Sequence, residues 1–268
     1  MRRIHSLLPV FLMLLAGCAG SPPPTAIPGA ASPPQPPTAA TTRSPSTVPS
    51  PTATPSPASS PSASDDTGTI TLGIADKGRQ LVPGRYSLPD AFAVPFTITL
   101  PSVHTLEAVN KSDVQLHYTQ AGAQNGSPWI VIDHVANVYA DPCHIDQGPL
   151  QPPVPSTVEA FIGALSQMRG FKAGPVTDVV VGGHPGKHVV LTNSVDTETA
   201  QCTGGGLIFM WKNADGTDGG GTNGGARDEI WMVDLGGTLV VIDGETFQDT
   251  PAGAADDLQL IVRSITFD

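Results

Sequence analysis

The sequence predicts an α+β domain, an antiparallel sheet flanked by helices, set behind a long segment that lacks any periodicity of its own. Three observations predict it. Short runs of alternating polar and apolar residues recur between turn residues, the mark of half-buried strands. One well-marked helix follows the first group of strands and a second closes the chain, an order that favours α+β over alternating β-α units. The composition also changes sharply near residue 65, where a tract rich in proline, serine, threonine and alanine gives way to mixed sequence.

The chain begins with a leader. Arg2 and Arg3 precede the apolar stretch 7–16, which is broken only by Pro9. Ten residues of helix cover about 15 Å, half of the roughly 30 Å hydrocarbon core, so the stretch fits an export signal and not a membrane span. It ends in Leu15-Ala16-Gly17-Cys18, which resembles the lipobox of bacterial lipoproteins. The resemblance implies cleavage after residue 17. It also implies that the Cys18 thiol accepts a palmitate-type diacylglyceryl group before cleavage frees its amine, and hence attachment to the outer face of the cell membrane. Two or more acyl chains hold a protein where one gives only marginal binding.

Residues 18–68 are expected to be the lipidated cysteine and a disordered tether. Residues 21–64 hold 14 of the 28 prolines, 17 Ser or Thr and 8 Ala, with Arg43 the one charged residue. Such a segment has too little apolar surface to offset its ordering entropy and favours polyproline II. The serines and threonines beside proline also match an O-glycosylated stalk; an unmodified spacer is the alternative.

The domain is expected over 69–268. Residues 65–268 carry all 24 Asp and Glu against 10 Lys and Arg, a net charge of −14. This charge argues against nucleic acid as a partner, because phosphate backbones are repelled, and it suits a soluble extracytoplasmic domain. With Cys18 acylated, Cys143 and Cys202 remain as an even pair in an oxidising compartment and are expected to form a disulfide, two buried thiols being the alternative.

Strands are predicted at 69–74, 95–100 and 114–118 and in a longer run from 128 to 139. A helix is predicted near 156–169: Ser156 and Glu159 fit a capping box, Val158, Phe161, Ile162, Leu165 and Met168 follow at helical spacing, and Gly170 supplies the stop. Strands at 175–181, 187–193, 206–212, 227–235 and 238–243 come next. Pro185-Gly186 is the expected type II turn between the first two, and Gly236-Gly237 the turn between the last two. Thr250-Pro251 is the expected start of a closing helix carrying Ala254, Leu258 and Ile261, with an edge strand over 264–267.

The run Phe96–Pro101, the helix near 156–169, the turn 181–187, the hairpin 229–243 and the closing helix together resemble the Mog1/PsbP-like α/β/α sandwich of LpqN-type bacterial lipoproteins. That resemblance covers most of residues 82–268. It implies binding or accessory roles in the cell envelope and carries no shared catalytic set.

The chemistry-bearing residues predict binding more than catalysis. Trp129, Trp211 and Trp231, with Phe209 and Tyr139, are large amphipathic groups on predicted strands. They suit either the core or a groove for a glycan or peptide, and the groove is the candidate ligand site. His184 and His188 have an i, i+4 spacing, but Pro185 and Gly186 break the helix that would align them on zinc. The loop 213–226 has oxygen ligands and glycines without the register of an EF-hand. No Gly-x-Ser-x-Gly elbow occurs. No metal or cofactor is therefore expected. The expected function is a surface-tethered binding or accessory module, its partners being the membrane, through Cys18, and an envelope component or exported protein. The alternative is a cell-envelope hydrolase using a carboxylate pair drawn from Asp133, Asp234 and Asp243.

Overall fold

A computed structural model describes residues 68–119, 127–196, 201–251 and 253–268. The leader, Cys18 and the tether lie outside the described residues.

Among the described residues, fifteen strands and two α-helices follow in chain order. The first seven strands are β1 (Ile70–Thr71), β2 (Gln80–Leu81), β3 (Gly84–Leu88), β4 (Phe96–Leu100), β5 (His104–Val109), β6 (Asp113–Tyr118) and β7 (Trp129–Val138). The middle of the chain holds α1 (Val158–Ser166), β8 (Phe171–Ala173), β9 (Thr177–Val181), β10 (His184–Asn193), β11 (Ile208–Asn213) and β12 (Asp218–Thr222). Last come β13 (Arg227–Asp234), β14 (Leu239–Thr246), α2 (Ala254–Ser264) and β15 (Thr266–Phe267).

A large sheet runs β2-β5-β6-β7-β14-β13-β10-β8, with β9 beside β10 and the β11–β12 hairpin joined to β7. A smaller sheet runs β1-β3-β4-β15. Among the described residues, every pairing between strands is antiparallel except β1 with β3. The fold is thus sheet-rich with few helices, and it departs from a sandwich covered by helices alone. One face of the large sheet carries α1. The opposite face carries α2 together with the smaller sheet.

Side-chain alternation explains the two layers, since successive residues of a strand point to opposite faces. On the α2 side, Ile130, Ile132, Trp231, Val233, Val240 and Ile242 meet Tyr86, Phe96 and Ile98 of the smaller sheet and Leu258 and Ile261 of α2. On the α1 side, Val135, Val138, Ile230, Met232, Leu239 and Val241 meet Phe161, Ile162 and Leu165. β14 is buried along its whole length because both of its faces are covered.

Several expectations are corrected. The N-cap of α1 is Thr157, not Ser156: its backbone is extended and its hydroxyl accepts from the Ala160 N–H at 3.2 Å. The β9–β10 turn is Gly182-Gly183, both at positive φ, and Pro185-Gly186 lies within β10. Consecutive left-handed glycines form the primed turn whose twist matches a hairpin, so they win over the Pro-Gly pair. α2 starts at Ala254 behind Gly253 instead of at Thr250-Pro251. The segment 69–74 supplies only the two residues of β1, and β2, β3, β5, β8 and β12 appear where no strand was predicted.

Candidate functional site

Four neighbouring strands bring acidic side chains to the α1-side face of the large sheet. Asp113 of β6 lies directly across from Asp133 of β7. Val131 of β7 lies across from Asp243 of β14, and Trp129 from Glu245. Glu245 in turn faces Asp228 of β13. Asp133, Asp228 and Asp243 are 1 %, 0 % and 3 % exposed, so these carboxyls are removed from water.

The β11–β12 hairpin folds over this acidic face. Trp211 Nε1 donates to Asp133 Oδ2 at 2.7 Å, and the Gly220 N–H donates to the same carboxyl. Glycine makes the approach possible. A Cβ on Gly219 would lie 2.3 Å from Trp211 Nε1 and 2.6 Å from Asp133 Oδ2. Gly220 is at φ +61°, a conformation that L side chains rarely adopt. Asp218, at the start of β12, accepts from the Tyr139 hydroxyl and from Lys212.

Between hairpin and sheet lies a cavity of about 300 Å³. Its floor is Gln115, Val131, Asp243 and Glu245, Trp129 and Phe209 form apolar walls, and Gly219–Gly221 form the roof. Trp129 is braced from outside the cavity by the His117 ring, stacked at 4.2 Å. Glu245 accepts from the Thr222 hydroxyl at 2.8 Å and from the Asn223 N–H. Asp243 lines the same cavity, and its Oδ1 has no hydrogen-bond partner.

Burial sets the protonation of these acids. Loss of solvation raises Asp133, Asp228 and Asp243 well above the usual carboxylate range, and neighbouring acids add to the rise. Burial pushes Glu245 up to about 7. Burial also raises Asp113, which faces Asp133 across the β6–β7 pair.

The expected aromatic groove is not assembled as one surface. Trp129 lines the cavity, whereas Trp211 is fully buried within the hairpin–sheet contact. Trp231 lies on the opposite face, tilted against His188 with ring centroids 5.0 Å apart. Asp234 is exposed at the β13–β14 turn, where it accepts from the Gly237 N–H, and does not pair with Asp243. His184 packs against Phe267, and among the described residues no group of three His, Cys, Asp or Glu converges to hold a metal ion. In the 213–226 segment, Asp215 is occupied by Thr217 and Asp218 by Lys212 and Tyr139. Cys143 and Cys202 form a disulfide with their Cα atoms 4.5 Å apart.

Sequence reasoning named Asp133, Asp243 and Trp129 but missed Gln115, Glu245 and the glycine roof. Alternation along 238–246 would have placed Asp243 and Glu245 on one face had the strand been carried past residue 243.

No family model matches the chain, and no curated protein matches it. Among solved structures it is similar to LpqN, involved in cell envelope biogenesis of Mycobacterium tuberculosis, at a TM-score of 0.33 and 14 % identity over 74 % of this chain and 88 % of that one. The Ran-binding protein Mog1p of Saccharomyces cerevisiae is similar at a TM-score of 0.33 and 12 % identity, over 63 % and 88 %. A Bacteroides thetaiotaomicron protein is similar at a TM-score of 0.30 and 10 % identity, over 70 % and 49 %. Likeness at this level does not place the chain in a family. Among the described residues no helix is long and apolar enough to cross a membrane.

Proposed function

We propose that the chain is an exported lipoprotein, held at the cell envelope by acylated Cys18, whose domain binds a small ligand in the cavity beneath the β11–β12 hairpin. The lipobox-like Leu15–Cys18 and the proline-rich tract, whose one charged residue is Arg43, support the anchor and the tether. The observation that carries the binding role is Asp243: a carboxyl 3 % exposed, with an unpartnered oxygen, on the floor of a cavity walled by Trp129 and Phe209. An unsatisfied buried polar group costs about 1–3 kcal/mol, a cost that a ligand supplying its partner removes.

Two measurements test this. Fatty-acid labelling in cells is expected to tag the wild type, and equal labelling of Cys18→Ala overturns the anchor. Native mass spectrometry of the chain purified from its own membranes is expected to show a small-molecule adduct. Val131→Trp, which fills the cavity from its floor, removes that adduct; an adduct unchanged in the variant, or absent from the folded wild type, overturns the binding role.

A further inference from the structure

We infer that the ligand of this cavity is a small organic cation, an alkylammonium or guanidinium compound, held by Asp243 and Glu245 and flanked by Trp129 and Phe209. The inference rests on the binding role proposed above and names its chemistry.

The charge arrangement carries it. Asp243 and Glu245 lie on the floor, and no lining residue is Lys, Arg or His. The nearby basic groups are engaged elsewhere: Lys212 with Asp218, and Arg227 with Glu229 at 2.5 Å. Ionised carboxylates on this face therefore lack a protein counter-charge close at hand. Asp243 lines the cavity, and its carboxyl, whose Oδ1 has no hydrogen-bond partner, is the acceptor offered to an incoming N–H.

The remaining lining residues select among ligands. An anion meets Asp243 and Glu245, with Asp218 neutralised by Lys212, and is repelled. A metal ion needs several converging oxygen ligands, and no such group forms among the described residues. Two aromatic side chains beside two carboxyls suit an ammonium or guanidinium carrying a few methylenes, since ring faces attract cations and the methylenes bury against Val131 and Leu207. The volume, at the small end of ligand pockets, admits a metabolite-sized cation and excludes a folded partner.

Binding is coupled to proton release. The groups around Asp243 are Glu245 on its own strand, Asp133 from β7, Asp228 and Arg227 from β13, and Asp218 with Lys212 from the hairpin. Asp113 stands behind Asp133, under the influence of Asp215 and Lys77. Burial keeps Asp243 and Glu245 protonated to higher pH than usual, with repulsion from neighbouring acids adding to it at Asp243, and an entering cation ionises them.

The test is isothermal titration calorimetry on the full chain in detergent, with butylammonium, guanidinium, butan-1-ol, glucose and calcium chloride as probes. At pH 8 at least one of the two organic cations is expected to bind saturably at one site, with butan-1-ol and glucose at least tenfold weaker. Affinity falls tenfold or more from pH 8 to pH 5, and Asp243→Asn weakens it tenfold or more while the exposed Asp234→Asn leaves it unchanged. Glu245→Gln provides a second reading should Asp243→Asn fail to fold. Glucose, butan-1-ol or calcium binding as tightly as the cations overturns the inference, as does undiminished binding in both folded acid variants or a flat pH profile. Neither organic cation binding, while the Val131-dependent adduct persists, overturns the ligand class and leaves the binding role standing; loss of the adduct as well removes both.

Discussion

Trp211 and Asp133 meet through a 2.7 Å hydrogen bond from indole Nε1 to carboxyl Oδ2, and this contact fastens the β11–β12 hairpin to the large sheet. Trp211 is fully buried and Asp133 is 1 % exposed, so water cannot replace either partner. Trp211→Phe is expected to lower unfolding free energy by about 1–3 kcal/mol through the buried hydrogen bond it removes, which leaves the Asp133 carboxyl the Gly220 N–H alone on this side. Asp133→Asn keeps a carbonyl toward Trp211 and an N–H toward Asp113, and should cost less. Urea unfolding of both variants checks the order, and a larger loss for Asp133→Asn would contradict it.

The acidic face makes stability depend on pH. Glu245 titrates near 7 when folded and near 4.5 when unfolded, so the folded chain binds more protons between these values. Its contribution is fully present below about pH 4.5 and is lost as pH rises toward 7, a change of roughly 3 kcal/mol at about 1.4 kcal/mol per unit. Comparing wild type with Glu245→Gln from pH 4.5 to 7.5 isolates this change from the opposing titration of buried His104, which burial lowers. The wild type is expected to lose ground steadily to the variant as pH rises; a constant difference would refute the assignment.

Cys143 and Cys202 close a loop with a sequence separation of 59. Constraint of the unfolded chain by a loop of that length is worth about 4 kcal/mol in the loop-entropy account. Reduction should therefore lower the denaturation midpoint substantially, with a matching loss in a Cys143→Ala/Cys202→Ala double variant. Unfolding curves with and without reductant measure it.

Two glycines should respond in opposite directions to alanine. Gly163 lies inside α1 with nothing within 4 Å of the position a Cβ would take, so Gly163→Ala is expected to stabilise by about 0.5–1 kcal/mol. Gly219→Ala places a methyl against Trp211 Nε1 and Asp133 Oδ2 and should destabilise the chain while narrowing the cavity. Thermal melts of the two variants, run together, test the pair.

How legible the fold was depended on the range of the forces involved. The stripe Val158, Phe161, Ile162 and Leu165 identified α1, and alternation identified the long strands, because both patterns follow from local geometry. β12, Asp218–Thr222, falls in a stretch whose sequence predicts a loop: its glycines have no strand preference, and it is extended because β11 pairs with it. The same tertiary pairing turned Pro185-Gly186 from a turn into strand.

The cavity was visible only in fragments. Trp129, Asp133 and Asp243 were suspected on chemical grounds, yet nothing local joins residues of β7 and β14 that lie about 110 positions apart. Their meeting depends on strand register.

The sequence by itself determined the acidic composition of the domain, the even pair of cysteines, the lipobox-like start and the placement of the main helix, all of which follow from residue counts, short-range spacing and local motifs. Only the tertiary structure decided which acids are buried, that Trp211 and Trp231 serve the core while Trp129 lines a cavity, and that Asp243 is left without a hydrogen-bond partner. The physical reason is that desolvation and mutual repulsion act through space, between strands whose neighbours are set by long-range pairing.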